Sequence, residues 1–256
     1  MLTTETKLST YQGVVTLGRR NTLTGAVEKV FDIGNVPELD IALKVTVEDI
    51  KESQTGQRLG LARIEGAKEA SITMKLHNFD GRTQELILRA TANTVVGGTV
   101  TAEAHGSGKI DGDIVKLDHN FVSLLVVKDS AAAPATVPNT KYQIDPNGGM
   151  LRLADVAGYI QPFTFDYAYA AVDTVAMFTS AQLEYCLYFS GVNTARSSEP
   201  IMMELYRTAF DPADNLPLIG EKVSVYTLKG SLLADLTKDG SDPTLGYFGR
   251  IQTKAA

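Results

Sequence analysis

The chain has 256 residues, 44% of them hydrophobic, which is enough to bury one large core or two smaller ones. Its 24 basic and 30 acidic side chains leave a formal charge of −6, a net field that opposes a wrap-around grip on nucleic acid phosphates. No stretch approaches the roughly 20 apolar residues of a membrane helix, Met1–Lys7 has no apolar h-region, and the lone Cys186 excludes an intrachain disulfide, so neither membrane insertion nor a secretory signal is expected.

Strand signals dominate from the start. Gly13–Gly18 and Val27–Ile33 read as strands, and from Leu39 to Val47 every odd position is apolar, the period of a half-buried strand. A mixed-charge excursion over about 49–69 follows, and alternation resumes at Ile72, Met74 and Leu76. The period then changes. Asn78 or Asp80 supplies an N-cap, and Arg82 to Thr91 is rich in helix formers, so one helix is expected there.

Further strands are expected at Thr99–Ala104, Ile114–Leu117, Phe121–Val127, Phe163–Tyr169, Leu183–Phe189 and Ile201–Leu205, with a shorter one at Val223 and Val225. The fold class is therefore mainly β, a sandwich or half-barrel with a flanking short helix. The small, proline-punctuated run 131–140 reads as a linker between a domain over 1–130 and a second β domain over 141–256. An internal echo supports two tandem divergent domains: Ile72, Met74, Phe79 and Asp80 recur as Met203, Leu205, Phe210 and Asp211. Pro212 and Pro217 shorten any helix in the second copy.

The search for catalytic chemistry is negative. His77, His105 and His119 lack metal-ligand spacing, and Gly106–Lys109 lacks both the first glycine and the Ser or Thr of a phosphate loop. Asp111–Asp113 and Asp239–Asp242 read as turns rather than calcium loops. Cys186 lies among Leu183, Tyr185, Leu187 and Phe189, as a small core filler would. The expectation is a protein with no catalytic residues, no metal and no cofactor.

The excursion over 49–69 is overlong for a hairpin turn. It carries Asp49, Glu52, Glu65 and Glu69 against Lys51, Arg58, Arg63 and Lys68, with Leu59, Leu61 and Ile64 between them. Apolar anchors with balanced charge suit a segment that orders on a neighbouring subunit. Lys51, Glu52, Gln54, Arg58, Leu59, Leu61, Arg63 and Ile64 are the candidate contacts between subunits or rings. Glu38, Asp40, Lys44 and Glu48 form the polar face of the preceding strand, lining either a lumen or an outer surface.

Several of these segments together resemble the major tail tube proteins of long-tailed, siphovirus-type bacteriophages. The resemblance lies in Ile33–Asp40, the Glu52–Arg58 tip, Ala70–His77 with Asn78-Phe79, Tyr142–Pro146, Gly149–Leu151, Tyr188–Asn193, Leu205–Arg207 and Phe210–Pro212. It implies a structural virion protein whose rings, joined by continuous inner sheets, stack through the long hairpin into a hollow tube that conducts DNA during genome ejection. It also implies made-in-host assembly from the bacterial cytoplasm into the virion tail, with tape measure, tail tip and terminator proteins as partners. The family's ring has six tube domains, so two domains per chain imply a trimer with pseudo-sixfold symmetry, and one decorated domain implies a hexamer. A tube protein of a contractile injection or type VI secretion machine shares these features. A carbohydrate-binding β-sandwich using Tyr167, Tyr169, Tyr185 and Tyr188 is the third reading.

Overall fold

The computed structural model describes residues 7–254, so most of the opening segment inspected for a secretory signal lies outside the described residues. In chain order the first elements are β1 (Tyr11–Arg20), β2 (Val27–Asp32), β3 (Glu38–Lys51), β4 (Gly60–Leu76) and helix α1 (Gly81–Leu88). Next come β5 (Thr91–Val95), β6 (Gly98–Ala104), β7 (Ile114–Lys116), β8 (Val122–Lys128), β9 (Thr136–Val137), β10 (Tyr142–Asp145), β11 (Met150–Leu153), β12 (Thr164–Tyr169) and β13 (Val172–Ala176). The chain finishes with β14 (Glu184–Asn193), β15 (Glu199–Phe210), β16 (Tyr226–Leu232) and β17 (Gly249–Thr253). The mainly β expectation is met, with sandwich-like antiparallel sheets.

The chain forms two compact units. One is discontinuous, built from the chain up to Ala92 and from Val175 onward, and the other is Asn93–Thr174. In the first, an eight-stranded antiparallel sheet runs β2-β1-β14-β15-β16-β4-β3, with β17 pairing β15 off this path. Residues β15 leaves free of β16 are taken by β17: Ile201–Leu205 pair with β17, whereas Thr208–Phe210 pair with β16. Alternate residues of these strands, including Leu17, Ile72, Met74, Leu187 and Leu228, meet Leu86, Ile87 and Leu88 of α1 in one core. Each such buried side chain contributes about 1.5–3 kcal/mol.

Helix α1 starts where the sequence asks it to. Asp80 accepts from the Thr83 backbone N–H at 2.9 Å, and the Asp80 N–H donates to Thr83 Oγ1 at 2.8 Å, a reciprocal cap. It stops at Arg89 in the left-handed conformation, short of the expected Thr91, because the next residues enter β5.

The second unit packs two sheets, β6-β12-β8-β9 and β10-β11-β7, around Leu117, Val127, Leu151, Leu153 and Phe165. This arrangement corrects the expected linker at 131–140. Asp129 accepts from the Ala135 N–H at 2.6 Å, folding the small-residue run into a turn, and Thr136–Val137 then pair with β8. Val137 is fully buried. The boundaries therefore fall at Ala92/Asn93 and Thr174/Val175 instead of between 130 and 141.

The two strands of the internal echo lie in one compact unit and not in two tandem ones. Both of its strands, β4 and β15, lie in the same sheet on either side of β16, and Ile72, Met74 and Leu205 face the same core. Two strands under one packing constraint acquire similar patterns. No helix follows Asp211, and Val223 and Val225, where a short strand is expected, lie outside any strand, with Val223 exposed.

Candidate assembly surface

Strands β3 and β4 form one long hairpin, in register from Glu38↔Lys75 to Lys51↔Gly60. Its base belongs to the core. From Ala42 to Lys51 and from Gly60 to Glu69, however, every residue is exposed, so the outer part is a ribbon bare on both faces. Ten residues per strand at about 3.3 Å each give an arm of roughly 30 Å. Two bulges shape it. Gly66 and Ala67 together oppose Thr46, whose Oγ1 donates to the Ala67 carbonyl at 3.1 Å, and Leu61 is the unpaired residue between Ala62 and Gly60. A Cβ on Gly66 would lie 2.8 Å from Thr46 Oγ1, which accounts for the glycine.

Alternation sorts the arm's side chains. Leu39 and Ile41 face the core, and the same row continues outward as Leu43, Val45 and Val47, which are 78%, 42% and 37% exposed. On the opposite face, Ile50 stands across from Ala62 and Ile64 across from Glu48. The inward end of the apolar row opens into a cleft of about 590 Å³, where Leu39 and Ile41 face Phe189, Met203 and Ile251. The free edge of β3 runs beside this row, and β2 is the other free edge of the sheet.

All eight contact candidates sit at the outer end of the arm. Lys51, Gln54, Arg58, Leu59, Leu61, Arg63 and Ile64 are exposed, whereas Glu52 is half-buried and serves its own turn. Its carboxylate accepts from Thr55 Oγ1 and from the N–H groups of Gln54 and Thr55 at 2.8 and 2.9 Å. The Thr55 hydroxyl, then its N–H, hold the Glu52 carboxyl below its ordinary pKa. Arg58 and Gly56 adopt positive φ to close the loop. Glu38, Asp40, Lys44 and Glu48 share the face of β3 opposite the apolar row, with Glu38 paired to Lys75 at 2.6 Å and Lys44 to Glu69 at 3.3 Å.

Two polar clusters were not legible in the sequence. In the first unit Glu184 bridges Arg207 (2.7 Å) and Arg20 (3.3 Å), and Arg20 reaches Asp235 at 3.2 Å. The Arg207 hydrogen bond chiefly holds the Glu184 carboxyl below its ordinary value, against the opposing effect of burial. The network ties together β1, β14 and β15 and the loop after β16. In the second unit the Tyr167 hydroxyl donates to Glu103, so His119 Nδ1, at 3.1 Å from the same hydroxyl, is the donor to it. His105 Nε2 lies 2.7 Å from Glu103. The scatter of His105 and His119 in sequence hid the fact that β6 and β12 bring Glu103 to Tyr167.

No group of three or more His, Cys, Asp or Glu among the described residues is arranged to hold a metal. Asp113, Asp239 and Asp242 cap their own turns, for example Asp239 accepting from the Ser241 N–H at 2.9 Å, whereas Asp111 accepts from the Val156 N–H at 2.8 Å. Cys186 is buried, as a core filler is. Tyr167 and Tyr185 are buried in the two cores, and Tyr169 and Tyr188 are half-buried, so these four form no exposed aromatic platform.

Residues 8–252 match the family described as Protein of unknown function UCP028589, and the chain belongs to that family. No curated protein matches the chain.

Proposed function

We propose that this protein is a structural subunit that self-associates through the β3–β4 arm, and that its assembly is the hollow tail tube of a long-tailed bacteriophage, through which DNA passes. The observation that carries the reading is the continuation of the core-facing row of β3 into Leu43, Val45 and Val47 outside the core, beside a free strand edge. In a monomer such a ribbon is an aggregation hazard, because its backbone groups and apolar side chains both lack partners. In a ring the neighbour supplies both. A net charge of −6 per subunit, multiplied around a lumen, favours sliding of DNA over adhesion.

One arm and one eight-stranded sheet per chain favour a hexamer in which Asn93–Thr174 decorates a single tube domain, over a trimer of tandem domains. The subunit acts by assembly, with no catalytic step. Electron microscopy of the purified protein tests the proposal. Hollow tubes with sixfold end-on views are expected, and globular monomers at every concentration, including in the presence of preformed tail tips, would refute it.

A further inference from the structure

Between the β1–β2 end of the sheet and helix α1 lies a cleft of about 450 Å³ whose rim carries Arg19, Lys29 and Arg82 over a floor that includes Phe31 and Tyr185. Three local rules are broken around it. Arg19 and Lys29 stand directly opposite each other on β1 and β2, a like-charge pair that destabilises a sheet. Arg82 occupies the first turn of α1, where the helix dipole disfavours a cation and the nearest acid in sequence, Asp80, is taken up as the N-cap. Arg89, lining an adjoining pocket, has a buried Nε without a hydrogen-bond partner. Among the described residues none of these four cations makes an ion pair. Glu85 is the acid in the cleft, and its Oε1 is already accepting from the Ala92 N–H at 2.8 Å. In an acidic chain, local costs concentrated at one place point to a site whose partner supplies the missing charge.

The geometry points to an extended acidic segment of a partner protein, added as a strand to the free edge of β2, with its carboxylates on Lys29, Arg19 and Arg82 and its apolar side chains over Phe31 and Tyr185. The free edge decides for a peptide over a compact anion, because β2 pairs only with β1 and offers main-chain groups along its whole length. Arginine forks match carboxylates in two-point contacts, and because Arg19, Lys29, Phe31 and Tyr185 share one face of the sheet, the segment's acidic and apolar side chains would take turns along the every-second-residue row that faces the cleft. The cleft is lined by residues of β1, β2, α1, the starts of β5 and β14 and the loops beside them, and none belongs to the β3–β4 arm.

A fluorescein-labelled peptide Glu-Ser-Val-Ser-Glu-Ser-Val-Ser-Glu-Ser, which as a strand carries Glu and Val on one face, is titrated into the full chain at low ionic strength and followed by fluorescence anisotropy. Saturable binding is expected, weakened about tenfold or more by Lys29→Glu and by Arg82→Glu, each verified as folded by circular dichroism, and unchanged by Lys222→Glu. Hydrogen exchange is expected to show new protection at Val27–Asp32. Absence of saturation, binding indifferent to both cleft variants, or protection confined to other segments would overturn the proposal. So would a duplex DNA oligomer that binds more tightly than the peptide and loses affinity in the same variants.

Discussion

Leu43 and Ala70 stand directly opposite each other on β3 and β4, yet Ala70 is 6% exposed and Leu43 78%. The edge of the folded core passes between these two residues of one rung. Inside it the hairpin is held by packing against the rest of the sheet, and outside it the same strand pattern continues with nothing to pack against.

Because nothing beyond this rung is buried, replacing Val45–Lys68 by Asn-Gly leaves Lys44 and Glu69 opposite each other across a two-residue hairpin loop. The shortened protein is expected to retain its melting temperature within a few degrees and to lose all tube formation. Differential scanning calorimetry and electron microscopy on the same sample check both.

A subtler change separates assembly from folding. Leu43→Glu and Val47→Glu place charge on the exposed row, and exposed substitutions of this kind change stability by about 0.5 kcal/mol or less. Sedimentation is expected to show a folded species that stays small where the unaltered chain assembles.

The Arg20–Glu184–Arg207 network makes the first unit acid-sensitive. The Glu184 carboxyl is depressed when folded, so its contribution is fully present above the ordinary glutamate range near about 4.3 and is lost as pH falls through the lower folded value. Glu184→Gln removes that linkage and leaves two arginines facing a neutral amide. We expect a loss of about 3 kcal/mol at pH 7 and a visibly flatter dependence of unfolding free energy on pH between about 5 and 2, measured by urea titration.

Asn93–Thr174 carries its own core, with Leu117, Leu151, Leu153 and Phe165 all fully buried. Expressed alone, it is expected to fold and to unfold in a single cooperative thermal transition, and retained near-ultraviolet dichroism of its tyrosines is the readout.

Much of the strand content was legible because one sheet face is buried and the other is not: the odd residues of Leu39–Val47 and the Phe163–Tyr169 run declare their pairing faces by alternation alone. Asn78 and Asp80 both read as candidate N-caps, and the reciprocal Asp80–Thr83 bonds select Asp80. What local pattern does not reveal is which strands meet. The first unit depends on β1 pairing with β14 across the whole intervening chain, from Tyr11↔Asn193 to Arg20↔Glu184, and nothing near either strand announces it. The Ala- and Pro-rich run at 131–140 looked like a linker because turn chemistry and linker chemistry use the same residues, and only the Asp129 cap and the Val137 rung distinguish them. The arm was visible as an anomaly of charge and length, whereas the exposure of Leu43 and Val45 was hidden by an alternation that reads identically inside and outside the core.

A cryo-electron microscopy reconstruction of the assembled protein, at a resolution that traces the β3–β4 arm, decides whether the arm joins subunits. A hollow tube is expected in which Leu43, Val45, Leu61 and Ile64 are buried against other copies of the chain. A tube, ring or filament in which the arm projects into solvent with these residues uncovered would contradict it.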